Sequence, residues 1–193
     1  MKRYGTILLS ALLMLGAGSA LQAQQTAIYD RPDAEFRDAQ ELFNKEKYGC
    51  ARQKYLNVIR LNNGKPSELN AQSAYYAAMC AIELFNDDAA YRVVQYVRAY
   101  PEHTRVYLAW YQLGRYHFRF KRYEEALAAF EKVDPYKLRA EERAEYNFKS
   151  GYCFFIKGDK EAAKNAFFDL KESDSKYAAG AMYYFGHIAY EEG

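Results

Sequence analysis

Apolar residues in this chain recur at helical spacing, and the spacing itself repeats. A small residue is followed twelve positions later by alanine, then by bulky apolar residues four and seven positions further on. Ala39 leads to Ala51, Tyr55 and Val58; Ala78 leads to Ala90, Val94 and Val97. Gly114 leads to Ala126, Phe130 and Val133; Gly151 leads to Ala163, Phe167 and Leu170. Gly186 opens a fifth copy, which stops with the sequence at Gly193. The copies are 39, 36, 37 and 35 residues apart. Each half of a copy reads as an amphipathic helix, so the period predicts helix hairpins stacked into an α-solenoid. No copy can bury its apolar face alone, and stacking supplies the common core.

Polar punctuation places the helices. Pro32 suits a first helical turn, and Asp33 and Glu35 favour its positive end. Helix A of the first copy is expected to run to about Asn44, and helix B from about Lys47 to Leu61. Residues 62–66 (Asn-Asn-Gly-Lys-Pro) break the chain, and Ser67 can cap the next helix. Asn86-Asp87 turns the second hairpin, whose helix B runs to Pro101, and Thr104 is expected to cap helix A of the third. Lys121-Arg122 leads into a helix B that ends near Asp134-Pro135. The fourth helix A covers about Ala140 to Ile156, Lys157-Gly158-Asp159 turns it, and its helix B ends near Lys171. The five copies then span about 32–66, 67–103, 104–139, 140–174 and an incomplete 175–193, in one domain of nine helices.

The first residues stand outside this pattern. Lys2 and Arg3 precede an apolar stretch from Ile7 to Leu15, then small and polar residues from Gly16 to Ala23. This is the pattern of a secretory signal peptide over 1–23, with cleavage after Ala20 or Ala23, followed by a flexible leader over 24–31. The apolar run is shorter than the roughly 20 residues of a spanning helix. An exported chain with no membrane span after cleavage is expected. No cysteine lies near the cleavage region for lipid attachment.

Charge narrows the partners. Removal of residues 1–23 takes away Lys2 and Arg3 and no acid, leaving 25 basic and 25 acidic residues. A formally neutral chain lacks the charge that nucleic-acid or polybasic membrane binding needs. Cys50, Cys80 and Cys153 sit in apolar helical stretches, as small buried thiols do. A Cys50–Cys80 bridge is an open alternative that the sequence does not decide. No spacing of metal-ligating residues occurs, and no metal or cofactor is expected.

The third copy resembles the tetratricopeptide repeat (TPR). It reads Trp110-x-x-Leu113-Gly114-x-Tyr116, then Tyr123-x-x-Ala126-x-x-x-Phe130, then Pro135, against the family's W-x2-L-G-x2-Y, Y-x2-A-x3-F and P. Tyr116 stands one place early, and His117 occupies the usual tyrosine position. The fourth copy keeps Gly151, Phe154, Gly158, Ala163 and Phe167, and the fifth keeps Gly186 and Gly193. The resemblance implies an all-α, right-handed solenoid of TPR helix hairpins with about four and a half repeats.

It also implies a site. TPR proteins bind partner segments in a concave groove lined by their A helices. The implied groove positions include Phe36, Tyr75, Tyr111, Phe148 and Tyr183, three places before each small residue. They include Met79, Arg115 and Tyr152 one place after it, and Phe43, Phe118 and Phe155 four places after it. Arg119 lies one residue beyond Phe118. Tyrosine and phenylalanine bury large area at low rotamer cost, which suits a protein or peptide partner. The same rings can stack on sugars, so a glycan-binding accessory is the alternative. Aromatic residues at helical spacing also serve as packing between helices. Arg115 and Arg119, one turn apart, can meet a carboxylate or form a solvated face.

Catalysis has no foundation here. His103, His117 and His187 fall in different copies, and no metalloprotease, serine-hydrolase or phosphate-loop motif occurs. The resemblance to exported TPR proteins implies a scaffold of the bacterial cell envelope, in the periplasm or at the outer membrane. The last helix, expected to lack a covering helix B, points to a longer array or to self-association.

Overall fold

The computed structural model describes residues 31–192. The expected signal segment, and the leader up to residue 30, lie outside the described residues. Within them the chain is all-helical. It forms α1 (Pro32–Asn44), α2 (Tyr48–Leu61), α3 (Glu68–Glu83), α4 (Ala89–Ala99), α5 (Val106–Arg119) and α6 (Tyr123–Phe130). A 3-10 turn at Pro135–Lys137 precedes α7 (Ala140–Lys157), α8 (Lys160–Phe168) and α9 (Ala178–Glu192). None of these helices is long and apolar enough to cross a membrane. Contacts divide the chain into two compact units, one up to Ser73 and one from Ala74 onward.

In the first unit α1 and α2 pair around Ala39, Ala51, Tyr55 and Val58, all with no exposed surface. Pro32 occupies the first turn of α1 with Asp33 and Glu35 beside it. Polar contacts fasten the outer seam. The Lys54 ammonium reaches Glu35 at 3.0 Å and Asp38 at 3.2 Å, and the Asn57 amide donates to Glu35 at 2.9 Å. Ser67 caps α3 as expected, its hydroxyl accepting the Asn70 N–H at 3.2 Å. The fully buried Asn70 donates its own amide to the Lys65 carbonyl at 2.8 Å, so its burial carries no orphaned donor.

In the second unit the α5–α6 and α7–α8 hairpins each bring a ring against a glycine. A Cβ placed on Gly114 would lie 2.3 Å from Phe130 Cε1, and one on Gly151 would lie 2.6 Å from Phe167 Cε1. The aromatic ring of one helix therefore rests on the bare backbone of the other. The α7–α8 turn follows the sequence reading. Gly158 adopts φ 83°, a left-handed conformation open to glycine, and the Asp159 carboxylate accepts the Ala162 N–H at 3.1 Å.

Several expectations need correction. In the second copy the buried face is Ala89, Val93 and Tyr96, not Ala90, Val94 and Val97. Helix α4 turns its face by one residue because Tyr96 supplies the large side chain, meeting Tyr75 edge-on at 5.6 Å. Thr104 does not cap α5. That helix starts at Val106, whose N–H bonds the His103 carbonyl at 3.0 Å. Helices α6 and α8 stop at Phe130 and Phe168, short of Asp134 and Lys171. After α6 the Asp134 carboxylate instead caps the 3-10 turn through the Tyr136 N–H. Gly186 is solvent-exposed with no atom within 4 Å of a built Cβ, so it has no ring against it. Cys80 and Cys153 are buried, but Cys50 is exposed, and all three carry thiols rather than disulfides.

Two predictions follow from packing. Alanine in a helix interior is ordinarily worth about 1 kcal/mol over glycine. Gly186→Ala should therefore raise stability by roughly 0.5–1 kcal/mol. Gly114→Ala should lower it by about 1–3 kcal/mol, because the new methyl collides with a confined ring. Urea titration of both variants checks the opposite signs, and a more stable Gly114→Ala protein would sink the packing account. Burial also pushes the Cys153 thiol up to about 12. A thiol reagent on the native protein should therefore show one fast-reacting group, lost in Cys50→Ser.

Candidate binding face

The sequence-predicted groove residues separate into two kinds. Those three places before the small residue of the first four copies are packing residues. Phe36 meets the Tyr55 ring at 5.6 Å, and Phe43, from the position four after, meets it at 6.5 Å. Tyr75, Met79 and Tyr111 are 7%, 5% and 1% exposed. Phe148 lies 6.0 Å from Phe167 and stacks on Tyr177 at 5.3 Å. A Cβ on Gly180 would lie 2.7 Å from the Phe148 ring, so α9 passes close over it. Only Tyr183, 66% exposed on α9, is open at this position.

The second kind forms a continuous row across α5, α7 and α9. Phe118 meets Tyr152 at 5.6 Å, and Tyr152 meets Tyr184 at 5.3 Å. Tyr184 meets Phe155 at 5.1 Å, Phe155 meets His187 at 5.7 Å, and His187 stacks on Tyr183 at 6.3 Å. Tyr123 of α6 closes one end, 5.9 Å from Phe118. Phe118, Tyr152, Tyr184 and Phe155 are half-buried, with surface left for a partner. Edge-on and tilted geometry fixes the rings against one another, which lowers the rotamer cost of binding on them.

Beside the row lies an ion cluster. Arg115 Nε donates to Glu145 Oε1 at 2.8 Å, Lys149 reaches the same oxygen at 2.5 Å, and the Tyr111 hydroxyl donates to Glu145 Oε2 at 3.1 Å. Arg115 also donates to Gln112 at 2.7 Å, and Lys149 stands 5.2 Å over the Phe118 ring. Burial works to raise the Glu145 carboxyl, but the Lys149 hydrogen bond and the Lys149 and Arg115 charges outweigh it and hold it below its usual range. Burial pulls Lys149 below the usual lysine range despite its carboxylate partner. Burial pushes the Tyr111 hydroxyl far up, reinforced by Glu145. Arg119 is not in this cluster: it lies exposed, 3.9 Å over the Phe85 ring.

Four members escaped the sequence reading of the groove, Tyr123, Tyr184, Glu145 and Lys149. A signal existed for two of them. Gln112, Lys149 and Tyr184 all stand two residues before the small residue of their copy, beside the packing position. Glu145 had none, because its role depends on cations from two helices.

The chain matches the tetratricopeptide repeat family over residues 107–134, the hairpin in which Gly114 meets Phe130. No curated protein matches it in sequence. Among solved structures it is similar to the nearly identical TPR-like repeats of a Podosopora anserina protein named for the kinesin light chain. That likeness has 13% identity and a TM-score of 0.60, and covers 85% of this chain and 88% of that one. A single-substitution variant of the same repeats gives 12% identity and a TM-score of 0.60, covering 85% and 87%. The fold is an α-solenoid of TPR-like repeats. Repeats of this type generally mediate protein–protein interaction.

Glu145→Gln should destabilise the protein by about 1–3 kcal/mol, because two cations lose their shared carboxylate. The sign with pH follows from the lowered carboxyl. Its contribution is complete above the ordinary value of 4.5 and is lost as pH falls through the lower folded value. Urea midpoints taken from pH 7 to pH 3 should therefore converge for the two proteins at the acid end. A constant gap across that range would overturn the assignment.

Proposed function

We propose that this protein is a non-catalytic protein–protein interaction scaffold of the bacterial cell envelope. It holds a partner peptide or protein on the aromatic row of α5, α7 and α9. The observation that carries this reading is the run of half-buried rings from Phe118 through Tyr152, Tyr184 and Phe155, which ends at the exposed Tyr183. Packing accounts for Tyr75 and Tyr111, but it leaves one side of these rings open. Fixed aromatic surface beside charged groups is the composition of binding hot spots. Arg115 and Lys149, both drawn to one carboxylate, leave positive charge beside the row that suits an acidic or carbonyl-rich segment.

Export to the periplasm or outer membrane belongs to the same proposal and rests on the segment from Met1 to Ala23. The amino-terminal sequence of the protein recovered from the envelope fraction should begin after Ala20 or Ala23.

Tyr152→Ala combined with Tyr183→Ala tests the face and spares the buried Tyr111. Wild type should retain envelope partners in a cross-linked pull-down, and the double variant should lose at least one while keeping its thermal midpoint within a few degrees. Identical partner profiles would sink the assignment. A glycan array that binds while pull-downs stay empty would replace it with a sugar-binding role.

A further inference from the structure

A cleft of 870 Å³ opens in the fourth hairpin, away from the aromatic row, between α7, α8 and the segment leading into α9. Its origin is legible by comparing two repeats. Gly114 and Gly151 are 37 residues apart, so Tyr107 and Trp110 of the third repeat correspond to Ala144 and Asn147 of the fourth. In the third repeat Tyr107 and Trp110 pack onto the core around Phe130, and Lys132 stands 5.5 Å over the Trp110 ring. In the fourth, Ala144 and Asn147 line the cleft. The cleft lies where the fourth repeat carries alanine and asparagine in place of two aromatic side chains.

Its chemistry differs from that of the filled seat, and its lining holds three carboxylates, Glu141, Asp169 and Asp174, against two cations, Arg143 and Lys176. Lys132 corresponds to Asp169, and Ala128 corresponds to Asn165, by the same spacing of 37. Both Asp169 and Asn165 line the cleft. The position that offers a cation to an internal indole in the third repeat holds a carboxylate in the fourth, and the Asn147 and Asn165 amides belong to the same lining. Ala166 and Leu170 supply an apolar floor. A planar ring would replace lost packing, an N–H on it would find acceptors, and a neighbouring positive charge would face Asp169.

We propose that this cleft is a second binding site, which accepts a tryptophan side chain from a partner segment that carries a basic residue next to it. The volume falls in the usual range of about 300–1,000 Å³ for a small-ligand pocket. It exceeds what one indole fills, so flanking main chain enters with the ring. Tyr177 of the lining stacks on Phe148, which meets Tyr184 at 6.4 Å, but no ring of the row lines the cleft, and the proposal does not rest on the row.

The test uses an acetylated, amidated Lys-Trp-Lys peptide with a fluorinated indole, so that the fluorine signal reports the ligand alone. On wild-type protein the fluorine resonance should shift saturably, and a Lys-Ala-Lys peptide should fail to displace it. Asn147→Trp and Ala144→Tyr rebuild the side chains of the third repeat and fill the seat. Each should weaken binding by about tenfold or more while holding or raising the thermal midpoint. Ala144→Tyr keeps the test open should Asn147→Trp fail to fold. Tyr152→Ala, on the aromatic row, should leave the titration unchanged. Equal saturation of both filled variants, displacement by the alanine peptide, or no saturable shift on wild type would each overturn the proposal.

Discussion

The arrangement depends on how close two helices of a hairpin can come. At Gly114 and Gly151 no side chain separates them, and the rings of Phe130 and Phe167 rest on bare backbone. A methyl at either point would lie well inside contact distance. This approach makes each of these two hairpins a thin slab, in which Ala126 and Ala163 are fully buried. A slab can bury its second face only against another slab, which turns a local contact into a repeating fold. Where the small residue is alanine rather than glycine, the partner changes. In the first hairpin Ala39 and Tyr55 are both fully buried, and in the second the buried face shifts to Val93 and Tyr96.

The same approach decides which A-helix residues remain for binding. Residues three places before the contact point toward the neighbouring helices, and burial consumes Tyr75, Tyr111 and most of Phe148. In the third and fourth copies residues one and four places after it keep open surface, whereas Met79 and Phe43, at the same offsets in earlier copies, are taken up by packing. Tyr152, Phe118 and Phe155 therefore keep part of their surface, and Tyr184 joins them from the position two before. Binding surface here is what helix packing leaves over, so its composition follows from the repeat register.

The fold was readable because its signal is redundant. Helix boundaries at Pro32, Ser67 and Gly158 each rest on local chemistry, and the small-residue spacing recurs in every copy. The register of the second copy was not readable from spacing. Ala89 and Ala90, and Val93 and Val94, are interchangeable as apolar residues, and only Tyr96 in place against Tyr75 selects between them. Thr104 has the chemistry of a cap, but the backbone enters α5 one residue too late to use it. The exposure of Cys50 was hidden by its apolar neighbours. On the face, the row was half legible: the offsets found Phe118, Tyr152 and Phe155 but also took in Tyr75 and Tyr111, whose neighbours come from other helices. No periodic rule reveals Glu145, because it is defined by meeting Arg115 and Lys149.

Glu145 also joins stability to the face. Its carboxylate holds Arg115 on α5, Lys149 on its own helix and the hydroxyl of buried Tyr111, so a core side chain and two surface cations share one acceptor. The net lowering of its carboxyl means that these partners outweigh the penalty of burial. Any change to Tyr111 therefore disturbs the charge beside the row as well as the core, and a lost partner could not then be assigned to the ring. Tyr152 and Tyr183 lack that coupling. Tyr152 leans on Phe118 and Tyr184, and Tyr183 on Tyr184 and His187, all members of the row itself. Recognition and folding in this protein therefore meet at Phe118, over which Lys149 of the Glu145 cluster stands, and at Tyr184, which stacks on the core ring of Phe167, while Tyr152 and Tyr183 touch rings of the row.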